Sequence, residues 1–338
     1  MAALEMLLAA LPHSTGSHNV MIPNHSRTPY LGQSFLTAIT VLLLGGCGAE
    51  DIFNGGDGGA PPDATGAPYA LATAVDGARL SLYAYQQLDD FQANRTFTLP
   101  LPWTLEDQFY SDQRFSGENT EAGEPLPIGF VATAGGRIYV VFRGTQTISE
   151  WISNAQFAQV DYPYVADGGM THRGFTELYA SIQEDVIASV TAVKERLPDA
   201  TILLTGHSLG GALAILAGPD LKERTGYVPV LYNFGAPRVG DPTFSRRFEG
   251  LVDTSWRTVN TNDPVPDLPP TTVPGFEGNR PVTYSYDHIR TARAITFGSP
   301  VEIPVSHSLC NYYSALCDET ADPAACKRLA EGVADCQP

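Results

Sequence analysis

Residues 201–217 constrain this chain more than any other stretch. An apolar run, Thr201 to Thr205, leads directly into Gly206-His207-Ser208-Leu209-Gly210-Gly211, and a helix-forming run, Ala212 to Ala217, follows. A strand that turns into a helix around G-x-S-x-G must reverse direction within a few residues. That turn puts the serine in a strained backbone region. It also presses the positions two before and two after against neighbouring backbone, so both must lack a side chain. The Ser208 hydroxyl is thereby lifted to the end of a sheet, and the Leu209 N–H points to where an oxyanion would form.

A chain of 338 residues can build one sizeable core, or a core with appendages. Its formal charge of −17 argues against nucleic acid as a partner, and against electrostatic attraction to anionic lipid. A neutral or apolar substrate fits better. Phe35 to Leu44 is an apolar run too short to span a membrane, which takes about 20 residues, and has the length of a signal-peptide core. It ends in Leu44-Gly45-Gly46-Cys47, which resembles the lipobox of bacterial lipoproteins and marks Cys47 for acylation. Residues 1–20 lack a basic region and contain Glu5. Met21, followed by Arg27, is the better start, which makes residues 1–20 a candidate mis-called extension. After a signal segment over 1–47, residues 48–68 are rich in Gly, Pro and Asp and read as a disordered tether. The folded domain is expected over 69–316, with a cysteine-containing tail over 317–338.

Helical spacing runs through residues 70–91, and residues 128–142 read as two strands around an Ala134-Gly135-Gly136 turn. Phe175 to Leu197 predicts an amphipathic helix with Leu178, Ile182, Val186, Val190 and Val193 on one side, stopped by Pro198. Further strands are expected at 228–234 and 256–260, with a short helix from Pro242 to Leu251 capped by Asp241. Alternation of this kind predicts a mostly parallel central sheet flanked by helices, with the site at the carboxyl ends of the strands.

A serine becomes a useful nucleophile at neutral pH only beside a histidine base oriented by a carboxylate. Among the acids after Ser208, Asp263 sits in a rigid loop, Asn262-Asp263-Pro264-Val265-Pro266, just past a strand. For the base, His307 follows Pro304-Val305-Ser306 and opens a helical segment. His288 lies in a strand-like alternating stretch, Thr283 to Arg290, where a structural role is the more ordinary one. His207 faces the wrong way to take its neighbour's proton, and His172 precedes the serine.

Several motifs occur in order: Phe142-Arg143-Gly144-Thr145, Thr171-His172-Arg173-Gly174-Phe175, Gly206 to Gly211, Asn233 to Gly240 and Asn262 to Pro270. His307-Ser308-Leu309 with Tyr312-Tyr313, read as a terminal H-x-x-Y, closes the series. Together they resemble the class 3 (fungal-type) triacylglycerol lipase family, within the α/β-hydrolase superfamily, over roughly residues 128–314. The resemblance implies an α/β-hydrolase fold with Ser208, Asp263 and His307 as catalytic triad. It implies Thr145 as the second oxyanion donor beside Leu209, and structural roles for His172, Arg238 and His288. Between the first two motifs, Thr147 to Glu150 forms a capping box, and Ile148, Trp151, Ile152 and Ala155 make an apolar stripe. Family members carry an amphipathic lid helix there. The implied activity is hydrolysis of acylglycerol esters through an acyl-enzyme, with phospholipase A1 or feruloyl-type esterase as alternatives on the same fold. A non-catalytic binding module is disfavoured by the complete set of catalytic positions. No cofactor and no metal are expected, and the chain is expected to be a monomer. It is expected to be exported and lipid-anchored in the cell envelope (the outer membrane of a Gram-negative cell), or secreted if unanchored.

Cys310, Cys317, Cys326 and Cys336 cluster at one end of an exported domain, which predicts two disulfides. No pair is spaced closely enough for a structural zinc site. On a helix over 308–316, Cys310 and Cys317 would lie about 10.5 Å apart along the axis, beyond the ~7 Å that a disulfide spans. A second helix starting at Asp322-Pro323 would run back antiparallel and favour Cys317–Cys326, with Cys310–Cys336 outside it.

Overall fold

A computed structural model describes residues 66–113, 124–145, 157–289 and 292–336, all within one unit, Pro61–Pro338. Its elements begin with α1 (Leu71–Gln92), β1 (Thr104–Ser111), β2 (Leu126–Ala134), β3 (Arg137–Phe142), β4 (Gln159–Asp161) and β5 (Met170–His172). Next come α2 (Arg173–Arg196), β6 (Thr201–His207), α3 (Leu209–Thr225), β7 (Val230–Phe234), α4 (Pro242–Leu251) and β8 (Thr254–Asn260). The hairpin strands β9 (Thr272–Glu277) and β10 (Arg280–Ser285), then β11 (Ala292–Ile295), precede α5 (Ile303–Ser306), α6 (Leu309–Cys317) and α7 (Pro323–Arg328).

Side chains that alternate across a strand must find a core on both faces when every position is apolar. In β3, Ile138, Val140 and Phe142 enter one cluster, while Tyr139 and Val141 enter the other. β6 and β7 divide in the same way, Leu204 and Leu231 against Leu203, Tyr232 and Phe234. The first cluster is closed by α2, α3 and α4, the second by α1, α6 and the C-terminal segment. Between them runs a seven-stranded sheet in the order β1-β2-β3-β6-β7-β8-β11. The pairs from β3 to β11 are parallel; β1 and β2 are antiparallel.

Local chemistry sets the element ends. Gly135 and Gly136 take φ of +54° and +75° and close the β2–β3 hairpin, matching the strand twist as non-glycine residues rarely can. Asp241 caps α4 by accepting from the Phe244 N–H at 2.7 Å, with Pro242 as the first helical residue. All five residues expected on the inner side of α2 are buried.

The strands β1, β4, β5, β9 and β11 went unforeseen. β1 is an edge strand carrying Glu106 and Asp107, with register shifts along it, so its apolar alternation is broken. β9 and β10 pair only with each other and are largely exposed. The strand expected through Thr283 to Arg290 ends at Ser285, which leaves His288 outside it.

Two disulfides tie the end of the chain, Cys310–Cys336 and Cys317–Cys326, the pairing favoured from helix spacing. In chain-entropy terms each is worth about 3 kcal/mol. The segment after α6 packs on α1, where the Ala334 N–H donates to Gln86 Oε1 at 2.9 Å.

Asp220, on α3, is fully buried at the α2–α3 contact. Its Oδ2 accepts from Tyr179 Oη at 2.7 Å and Gln183 Nε2 at 2.9 Å, while Oδ1 has no partner among the described residues. Burial outweighs these donors and raises its pKa. The folded state therefore holds this proton more tightly than the unfolded chain does. The group's contribution is most favourable below about pH 4 and is lost as pH rises through the folded pKa. Asp220→Asn should accordingly melt higher than the parent at pH 8, with the gap closing toward pH 4 in scanning calorimetry. Melting curves that stay parallel across that range would show that the carboxyl carries no such penalty.

Candidate functional site

Ser208 stands between β6 and α3 with φ 56° and ψ −126°, a backbone conformation that L-residues avoid. The surroundings leave it no alternative. A Cβ on Gly206 would lie 2.3 Å from the Gly210 carbonyl carbon, and one on Gly210 would lie 2.1 Å from the Phe142 carbonyl oxygen. The Ser208 N–H is tied to Phe234 O at 2.9 Å, so the turn is pinned to the next strand as well. Leu209 opens α3, where a backbone N–H has no acceptor within its own helix and the helix dipole is positive.

His307 sits in the joint between α5 and α6, so a short helix precedes the expected one. Its Nδ1 meets Asp263 Oδ2 at 2.7 Å. A carboxylate only accepts, so Nδ1 carries the proton and Nε2 presents its lone pair. Asp263 lies past β8 and is buried. Its Oδ1 accepts from the Val265 N–H at 2.9 Å, and its Oδ2 accepts a second bond from Tyr312 Oη at 2.7 Å. Three donors thus hold this carboxylate in one orientation. Ser208 Oγ and His307 Nε2 are both buried without a partner among the described residues. Active-site hydrogen bonds commonly close only once a ligand is bound.

The nest for this pair is glycine-shaped. Gly235 has φ +56°, and a Cβ there would lie 3.0 Å from Asp263 Oδ2 and 3.2 Å from His307 Nδ1. The His207 ring lies 4.5 Å from the His307 ring, and its Nδ1 bonds Tyr85 Oη at 2.9 Å. Burial, then the neighbouring His307, holds the His207 pKa well below the ordinary histidine value. His207 is thus a neutral packing partner of His307.

Thr145 follows the end of β3 and is buried. Its loop is set by Arg143, a fully buried guanidinium that donates from Nε to Pro127 O at 2.9 Å and from Nη1 to Gly144 O at 2.7 Å. Gly144 is clamped against the elbow, since a Cβ there would lie 2.0 Å from Tyr85 Oη and 2.8 Å from His207 O.

The structure therefore brings His307 onto Asp263 and sets the Gly144–Thr145 loop against the turn that carries Ser208. His288 is elsewhere, with Nε2 on Pro266 O at 2.8 Å. Burial, then Arg257 and Arg238, lowers its pKa far from that of a base near neutrality. His172 caps α2 and stacks on Phe175 at 4.0 Å, and Arg238 donates to Pro269 O at 2.8 Å. Both are structural here. Tyr312 stands five residues after His307, and Cys310 occupies the third position that H-x-x-Y reserves for tyrosine. Ile148, Trp151, Ile152, Ala155 and Cys47 lie outside the described residues. Among the described residues no cluster of His, Cys, Asp and Glu could hold a metal ion.

Residues 139–273 match the family described as Lipase (class 3). A lipase of Rhizomucor miehei is 41% identical over 137 residues, 39% of this chain and 38% of that protein. A phospholipase A1 of Oryza sativa subsp. indica is 30% identical over 253 residues, 64% of this chain and 58% of that protein. The matches to the fungal lipases span about two fifths of their length. The solved Rhizomucor miehei lipase propeptide complex superposes with a TM-score of 0.51 at 26% identity, over 72% of this chain and 76% of that one. The fold is that of the α/β-hydrolases, with a mostly parallel central sheet flanked by helices.

Gly144→Ala should push the Thr145 loop off the elbow while leaving the core intact. Labelling of Ser208 by a fluorophosphonate should slow by about 100–1,000-fold, the range that loss of one oxyanion donor typically costs. An unchanged labelling rate in a folded variant would remove Thr145 from the site.

Proposed function

We propose that this chain is a serine carboxylester hydrolase that cleaves acylglycerol esters through an acyl-enzyme. The observation that carries the reading is the 2.7 Å bond from His307 Nδ1 to Asp263 Oδ2, in a domain that holds Ser208 in a strained turn. The class 3 lipase match over 139–273 supports it.

In the proposed sequence His307 Nε2 takes the Ser208 proton as Oγ attacks the ester carbonyl carbon. The electron pair moves to the carbonyl oxygen, which accepts from the N–H groups of Leu209 and Thr145. As the tetrahedral species collapses, the C–O bond to the alcohol breaks, and His307 returns the proton to that oxygen. Water then repeats the cycle on the acyl-serine and releases the fatty acid. Asp263 stays ionised throughout, holding the tautomer and stabilising the transient imidazolium. The similarity to a phospholipase A1 supports glycerophospholipid as a second substrate, attacked by the same groups.

Two disulfides support an exported protein. We further propose that acylation at Cys47 anchors it to a membrane through the 48–68 tether, and that the catalytic unit acts as a monomer.

Ser208→Ala should abolish hydrolysis of emulsified triacylglycerol with the melting transition kept. Asp263→Asn and His307→Ala should each lose about three to four orders of magnitude in kcat. Full activity in His307→Ala with loss in His288→Ala would reverse the assignment of the base. Intact-mass analysis of the natively expressed protein should find Cys47 as the N-terminus, bearing lipid; a mature chain starting elsewhere would refute the anchor.

A further inference from the structure

At the end of β8, Asn260 is fully buried and is bonded to Asp263 and to the residue before His307. Its Nδ2 donates to Ser306 O at 2.8 Å, the carbonyl joined directly to His307, and to Phe297 O at 3.1 Å. Its Oδ1 accepts from the Phe297 N–H at 3.0 Å. Its backbone carbonyl accepts from the Asp263 N–H at 2.9 Å. Its backbone N–H donates to Tyr312 Oη at 2.9 Å. That last bond fixes the tyrosine proton: the oxygen accepts from Asn260, so its own hydrogen goes to Asp263 Oδ2, 2.7 Å away.

We infer that Asn260, with Tyr312 as its relay, is the positioning residue that keeps the base aligned on the acid. The side chain is bonded in full at both ends. Asn260 stands three residues before the acid and 46 before Ser306, so a strand end and a distant helical joint are locked together by one amide. An aspartate there would offer the same shape without the two donors to Ser306 O and Phe297 O, and an alanine would leave both carbonyls unmet. Tyr312 also packs edge-on against Phe297 at 5.1 Å, so the ring stays in place when the hydroxyl is removed.

The inference rests on the hydrolase reading above. Asn260→Ala and Tyr312→Phe are to be compared with the parent on a soluble p-nitrophenyl butyrate substrate. Loss of alignment acts on the chemical step, so kcat should fall about 10–100-fold for Asn260→Ala and about tenfold for Tyr312→Phe, with KM within about twofold. Combined with His307→Ala, neither substitution should slow the reaction below His307→Ala alone, because there is no longer a base to align. If Asn260→Ala shows no cooperative melting transition, Tyr312→Phe decides. A folded Tyr312→Phe enzyme with parental kcat would overturn the assignment, as would losses that multiply with that of His307→Ala. Retained activity in Ser208→Ala would instead sink the serine-hydrolase reading itself.

Discussion

The conformation of Ser208 is the constraint around which the site is arranged. A non-glycine residue at φ 56° costs of order 1–3 kcal/mol, and nothing in the residue itself recovers that. It persists because β6 and α3 are each locked into the sheet and its covering layer, leaving only that dihedral to join them. Clearance then has to come from neighbours: Gly206 and Gly210 beside the turn, Gly144 beneath it and Gly235 behind the histidine. The strain at Ser208 and the glycines of three separate motifs are one steric problem seen from several sides.

Ring partners sort the histidines. Burial lowers the pKa of His172 to about 4, and burial with a neighbouring cationic or titratable group holds His207 and His288 well below the ordinary histidine value, so all three are neutral near pH 7. His307 differs in having Asp263 on Nδ1, a partner that gains strength as the ring becomes cationic. The choice between His307 and His288 is therefore a question of what sits opposite the second nitrogen, not of exposure or of chain order.

Much of this could be read from residue order, for a physical reason. The strand, turn and helix around Ser208, the inner face of α2, the cap at Asp241 and the pairing of Cys317 with Cys326 all depend on spacing within about ten residues. Local periodicity and sterics govern that range. What stayed hidden depends on tertiary contact. Asn260 is an ordinary strand-end residue until Ser306 is folded onto it. Tyr85 looks like one more apolar position of α1 until its hydroxyl meets His207. Gly235 carries no signal of its own, since the acid–base bond it clears a space for joins residues 44 apart. Tyr312 was visible as a residue, but its register was misleading. The tyrosine sits two places beyond the usual spacing, and only its bond to Asp263 shows that the hydroxyl still arrives.

The order of these groups along the chain has a temporal consequence. A polypeptide made from its amino end presents Tyr85, Thr145, Ser208 and Asp263 before His307, and Cys336, which closes the outer disulfide, comes near the end. His307 and the helix carrying Tyr312 follow every strand of the sheet. A chain cut short after β11 would contain all seven strands of the sheet and Ser208, but neither His307 nor Tyr312. The strained turn and the groups proposed to act with it are thus separated in the order of synthesis.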